Sequence, residues 1–234
     1  MSPARGGGPR LEPLRLPELA VGLPGDLGPR AQPEALEFAD LHVDVLDVAG
    51  GAVRECRLRG VRAREARWRS ARWRDVEVAD LDVPVVSGAG TDWAGVRLER
   101  SRLGSAELYD ATWRSVELVD CRLGYVNLRG ADLADVVLRG CSVEELDLAG
   151  ASAARVALPG CRVGALDVQG ARLADVDLRG VRLSALAGVG SLRGAVVDPD
   201  QLLLLAPLLA ADLGLEVREG LEGGGLGGAG GDGS

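Results

Sequence analysis

The chain is poor in what most cores and most active sites are made of. Aromatic residues are only 3% of its 234 positions: four Trp, two Tyr and one Phe. Its interior must therefore be built largely from aliphatic side chains. A single Met disfavours a malleable, Met-rich binding groove. There is one histidine, His42, so a Ser-His or Cys-His pair has a single candidate base. Lysine is absent, and all 27 basic residues are Arg. Four Cys in a chain of this size do not indicate a disulfide scaffold. The longest apolar run, Leu202–Ala211, falls short of the ~20 residues that span a bilayer. The opening MSPARGGGPR lacks the apolar core of a signal peptide. These absences predict a soluble, cytoplasmic protein with no membrane partner.

Chemical motifs are also missing. There is no GxxxxGK[ST] phosphate loop, no paired-Cys zinc spacing and no GxSxG nucleophile turn. The sequence predicts no enzyme, no cofactor and no metal. Net charge is -8 and unevenly spread. Residues 1–35 are neutral, 36–198 carry 22 Arg against 25 acids, and 199–234 carry one Arg against six acids. A domain so balanced lacks the basic excess of a direct nucleic-acid binder.

What the chain does have is a period of five. Read in steps of five, the centres run Leu98, Leu103, Leu108, Trp113, Leu118, Leu123, Leu128, Leu133, Leu138, Val143, Leu148. Two residues before each lies a second apolar or small residue, such as Val116, Cys121, Val126 and Ala131. The phase holds without insertion from Phe38 to Leu183, thirty quintets in all. Neither the 3.6-residue period of a helix nor the 2-residue period of a strand fits. Gly recurs every tenth residue, from Gly130 to Gly180, which predicts that alternate corners use a different turn type.

Stretches such as Ala131-Asp132-Leu133-Ala134-Asp135 resemble the pentapeptide-repeat family, with its Ala-(Asp/Asn)-Leu-X-X consensus. The resemblance implies an all-β solenoid, a right-handed quadrilateral β-helix, with four quintets to each 20-residue coil. Places one and three of each quintet point inward; places two, four and five face out. Thirty quintets give ~7.5 coils and ~36 Å of rod at a ~4.8 Å strand spacing. We number the face centred on Phe38 as face one.

Residues 20 apart then form columns. Trp73, Trp93 and Trp113 share place three of face four, and read as a stacked core ladder rather than a binding platform. Cys121, Cys141 and Cys161 share place one of face two, and read as buried thiols, because zinc wants four convergent ligands. His42 falls at place two, on the surface. Place two is mostly acidic on faces one and three, with Glu107, Glu117, Asp147, Asp167 and Asp177 as outward candidates for partner binding. On faces two and four Arg is the commonest residue at that place, at Arg62, Arg72, Arg102, Arg122, Arg162, Arg172 and Arg182. In the coil from Cys56 to Asp75, places two and four are all Arg, so residues 54–74 reach net +7. That ring, with Arg62, Arg64, Arg72 and Arg74, reads either as a solvated band balanced by flanking acids such as Glu77 beside Arg57, or as a docking collar for an acidic partner.

The ends differ from the repeat. Residues 1–35, with seven Pro, are expected to be irregular, with Leu14, Leu16 and Leu19 against the first coil. Residues 36–197 form the repeat. Residues 198–217 carry a helix opened by an Asp198–Gln201 capping box, which Pro207 should kink or split. The Gly-rich 218–234 reads as a flexible tail. Leu202, Leu204, Leu205, Leu208 and Leu209 exceed one buried stripe and are the candidate dimer interface. The resemblance implies a twofold homodimer through this helix; the rival is a monomer with the helix flat on the coil. The expected function is a rigid interaction scaffold for a protein partner the sequence does not name. The alternative, also implied by the resemblance, is a DNA mimic that binds gyrase or topoisomerase and modulates fluoroquinolone sensitivity.

Overall fold

The computed structural model describes residues 7–218 of the chain. Its backbone winds through two parallel sheets. One follows a path of ten strands from Ala20–Val21 to Ala195–Val196; the other has eight, from His42–Asp47 to Arg182–Ala187. Strands pair at a register of 20 residues: Trp73 opposite Trp93, Trp93 opposite Trp113, Leu103 opposite Leu123. The result is a parallel β-solenoid of about nine turns with one C-terminal helix. Most backbone N–H and C=O groups of an inner coil bond along the rod to a neighbouring coil, with tight turns closing some corners, which is how a 20-residue layer too thin to hold a core becomes stable.

The two-in-five pattern places side chains as expected. Val116, Leu118, Cys121, Leu123, Val126 and Leu128 are all buried. The corners are a correction. Left-handed backbone occurs at three of the four, not at alternate ones. It follows face one (Asp80, φ 56°), face three (Asp110, φ 56°) and face four (Asp135, φ 57°). Glycine marks only some of these corners. Asp and Ser fill many others, since a short polar side chain tolerates φ > 0 by bonding locally.

The solenoid outruns the regular repeat at both ends. Ala20–Val21 pairs in parallel with Leu36–Glu37. Gly22 then passes over the Phe38 ring, where a Cβ would sit 2.4 Å from a ring carbon; only glycine closes the first coil this tightly. Upstream, the chain does not stay at the first coil as expected. It runs up the corner between faces four and one as a strap. Arg10 N donates to Asp135 Oδ1 (2.9 Å) and Glu12 N donates to Ser115 Oγ (2.8 Å). Leu14 lies in a groove with Gly95 and Arg97, and Leu16 near Arg57 and Glu77.

At the other end Pro199–Asp212 forms one helix, not split at Pro207. Asp198 accepts from Gln201 N (2.8 Å), and Gln201 Oε1 accepts from Asp198 N (3.0 Å). Gln201 is buried, and its Nε2 donates to Leu178 O (2.5 Å) and Val181 O (2.9 Å), two carbonyls of the last coil. Among the described residues no helix is long and apolar enough to cross a membrane. The expected flexible tail lies, beyond Arg218, outside the described residues.

Candidate interaction surfaces

The interior leaves little room for chemistry. Trp93 and Trp113 stack at 4.8 Å and 1°. The expected ladder then bends: Trp73 lies 5.7 Å from Trp93 at 38°. The cause is Trp68, at the centre of the preceding face-three quintet, which wedges 5.0 Å from Trp73 and 6.0 Å from Trp93. That wedge was missed, although the five-residue phase itself places Trp68 inward. None of the four indole N–H groups has an acceptor among the described residues. An unpaired buried donor costs ~1–3 kcal/mol. Burying ~150–250 Å² of ring contributes ~4–6 kcal/mol, so burial wins. Beyond Trp113 the column continues as Leu133, Ala153 and Leu173, and the core there holds a wholly apolar void of about 40 Å³.

Cys121, Cys141 and Cys161 lie buried in one column as expected. Each thiol faces a backbone carbonyl one coil back: Leu98 O (3.4 Å), Leu118 O (3.5 Å) and Leu138 O (3.3 Å). Contact with the Cys141 thiol, and burial, push Cys121 and Cys161 up; burial pushes Cys56 up. His42 is exposed, as place two implies.

The outer surface corrects several expectations. Asp147 is not outward: it is 4% exposed, caps Ala149 N (2.9 Å) and pairs with Arg129 (3.1 Å). Glu117 is half-buried between Arg97 (2.9 Å) and Arg139 (3.8 Å). Glu107 accepts from Asn127 (2.7 Å). Asp167 caps Gln169 N (2.8 Å), and Asp177 pairs with Arg179 (2.6 Å), which holds its carboxyl below the usual carboxylate range. These five acids are thus tied into the frame rather than presented as one acidic face.

The Arg-rich coil is largely balanced from the neighbouring coils. Arg57 pairs with Glu77 (2.8 Å), Arg59 with Glu37 (3.6 Å), Arg64 with Asp44 (3.6 Å), and Arg74 with Asp92. Arg67 pairs with Glu65 of its own coil (2.9 Å). Arg62, Arg69 and Arg72 enter no ion pair among the described residues. The Glu77–Arg57 pair is the one expected from the sequence; the other partners, up to 22 residues away, were not read from it.

The C-terminal helix divides its leucines. Leu205 is buried against Val181, Leu183 and Leu186, so this member of the proposed interface faces its own coil. Leu209 is half-buried. Leu202, Leu203 and Leu204 are 51%, 74% and 73% exposed, and Leu208 is 42% exposed.

The family model for pentapeptide repeats matches residues 117–152. No curated protein matches the sequence. Among solved structures the chain is similar to two trypsin-treated variants of QnrB1, described as a plasmid-mediated fluoroquinolone resistance protein. One shares 14% identity over 78% of this chain and 100% of that one, with a TM-score of 0.36. The other shares 17% over 80% and 90%, with a TM-score of 0.34. It is also similar to HetL from the cyanobacterium Nostoc sp. strain PCC 7120, a pentapeptide repeat protein involved in heterocyst differentiation regulation, at 19% identity over 70% and 90% and a TM-score of 0.20. The eight repeats matched over residues 117–152, the unbroken five-residue phase and the 20-residue strand register carry one and the same pentapeptide-repeat pattern.

Proposed function

We propose that this chain is a non-enzymatic, rigid interaction scaffold for a protein partner, working in the cytoplasm as a homodimer through its C-terminal helix. One observation carries the reading. The core is filled by the repeat, its enclosed void is about 40 Å³ and apolar, and what varies from coil to coil lies outside. A drug-sized ligand needs ~300–1,000 Å³ of concave space, which the interior does not offer; the grooves of about 410 Å³ beside His42 and about 490 Å³ beside the strap are open, charged surface. The exposed Leu202, Leu203, Leu204 and Leu208 give the helix an apolar strip that a twofold mate would cover.

Replacing Leu204 and Leu208 by Glu should halve the mass measured by light scattering while β circular dichroism is kept. A wild-type chain that stays monomeric at high micromolar concentration removes the dimer from the proposal. The scaffold reading itself is tested against gyrase. Exposed Arg columns on face two are the reverse of a polyphosphate surface, so supercoiling should be unaffected. Inhibition near one-to-one stoichiometry would replace the scaffold with a DNA mimic.

A further inference from the structure

With the ring of guanidinia largely paired, the longest run of unpaired ones lies along the rod on face two. Place two of face two reads His42, Arg62, Asp82, Arg102, Arg122, Ser142, Arg162, Arg182. The side chains of this column stand exposed apart from the half-buried Ser142, one per coil, on adjacent strands of one sheet. Arg102, Arg122, Arg162 and Arg182 enter no ion pair and no side-chain hydrogen bond among the described residues. Arg102 stands directly opposite Arg122, and Arg162 opposite Arg182. Like charges directly opposite each other on a sheet are destabilising. Elsewhere this chain places a carboxylate across the rung, as at Arg155–Asp135 (2.6 Å) and Arg100–Asp80 (3.0 Å). On face two Asp82 stands across the rung from Arg102 but forms no ion pair with it, and no carboxylate separates Arg102 from Arg122 or Arg162 from Arg182.

We propose that this ladder of unpaired guanidinia docks an acidic α-helix of a partner protein, lying along the rod. The inference rests on the scaffold reading and names its partner's chemistry. The rungs repeat every ~4.8 Å and a helix every ~5.4 Å, so the two stay within reach of flexible Arg side chains over four rungs. The interrupted rung fixes the pattern. Ser142 shares its quintet with Glu144 and Glu145, both exposed, so the gap in the positive column is itself negative. A matching helix carries acids at positions i, i+4, i+11 and i+14 and a base at i+7, since rises of ~1.5 Å per residue bring these to the five rungs within ~2 Å. Beside the column, place four holds Gly104, Gly124 and Gly164, a low lane that admits a helix backbone. A nucleic-acid backbone fits less well: its charge is continuous, and Glu144 and Glu145 would repel it at the gap.

The test uses the full chain and a fluorescein-labelled, Ala-based helical peptide with Glu at those four positions and Lys at the fifth. A scrambled peptide of equal composition and a duplex DNA serve as controls. Wild type should bind the patterned peptide at least about tenfold more tightly than the scrambled one, with affinity falling as salt rises. The variant Arg102→Gln, Arg122→Gln, Arg162→Gln, Arg182→Gln should lose that preference. The equal-charge control Arg69→Gln, Arg72→Gln, Arg172→Gln, Arg193→Gln, all unpaired with acids and exposed but on other faces or outside the repeat, should keep it. Equal binding by both variants, or no preference over the scrambled peptide, overturns the ladder while the scaffold stands on its gyrase test. Tighter binding of duplex DNA through the same four Arg overturns it in favour of nucleic acid. Loss of dimer mass in the ladder variant overturns it in favour of a second copy.

Discussion

At the scale of the residue, this fold asks for little variety inside and much geometry at its corners. The inward positions were legible because only two places in five are apolar, and Cys serves there as a small hydrophobe. The thiols give a direct check. All four Cys are buried, so a thiol reagent cannot reach them while the coils are intact. Titration with a thiol reagent in native buffer should find no fast-reacting group, and four after denaturation. Rapid labelling of the three face-two thiols would refute the inward assignment. The corners were less legible. A left-handed φ is written plainly in the sequence only where glycine stands, so Gly130 and Gly140 announced it while Ser115 and Asp135 did not. The indole wedge at Trp68 was hidden for another reason. Periodicity says which way a side chain points, not how far a large ring reaches across a narrow rod.

At the scale of the element, the C-terminal helix shows how a solenoid ends. Its cap was readable, since Asp198, Pro199 and Gln201 stand in helix-opening order. That Gln201 would turn inward to close two carbonyls of the last coil was not. Asp198 accepts from Gln201 N and from Gly180 N (2.9 Å), and these bonds hold its carboxyl below the usual carboxylate range. A depressed folded pKa gives stability that is present above the unfolded value, ~3.9, and lost as pH falls through the folded value. Helical circular dichroism should therefore be flat from pH 7 to about 5 and fall below about 4. In Asp198→Asn, which still caps but does not titrate, that acid-dependent part should vanish. An unchanged acid transition in the variant would assign it to other lowered carboxyls, such as Asp135 or Glu99. The strap was the least legible element. Nothing in Pro-rich 7–19 has a period, and its anchors Ser115 and Asp135 lie more than 100 residues downstream.

At the scale of the whole molecule, charge is sorted by neighbour rather than by region. Counting it in bands along the sequence made one coil seem a positive ring, because a band cannot see across rungs. In three dimensions many ion pairs join residues near 20 positions apart, so Glu77 answers Arg57 and Asp135 answers Arg155. The balance of one coil is settled by the next, and the columns left unbalanced run the length of the rod. The strap adds a constraint of another kind, one of time. Translation makes Arg10 first, yet its bonding partner Asp135 is made 125 residues later. The coils between can wind as they emerge, each on the last. The leading segment has no seat until the fifth face-four coil exists. Arg10 is thus made well before the coil that holds it, and its docking on Asp135 reports that the coils beneath have been laid down in register.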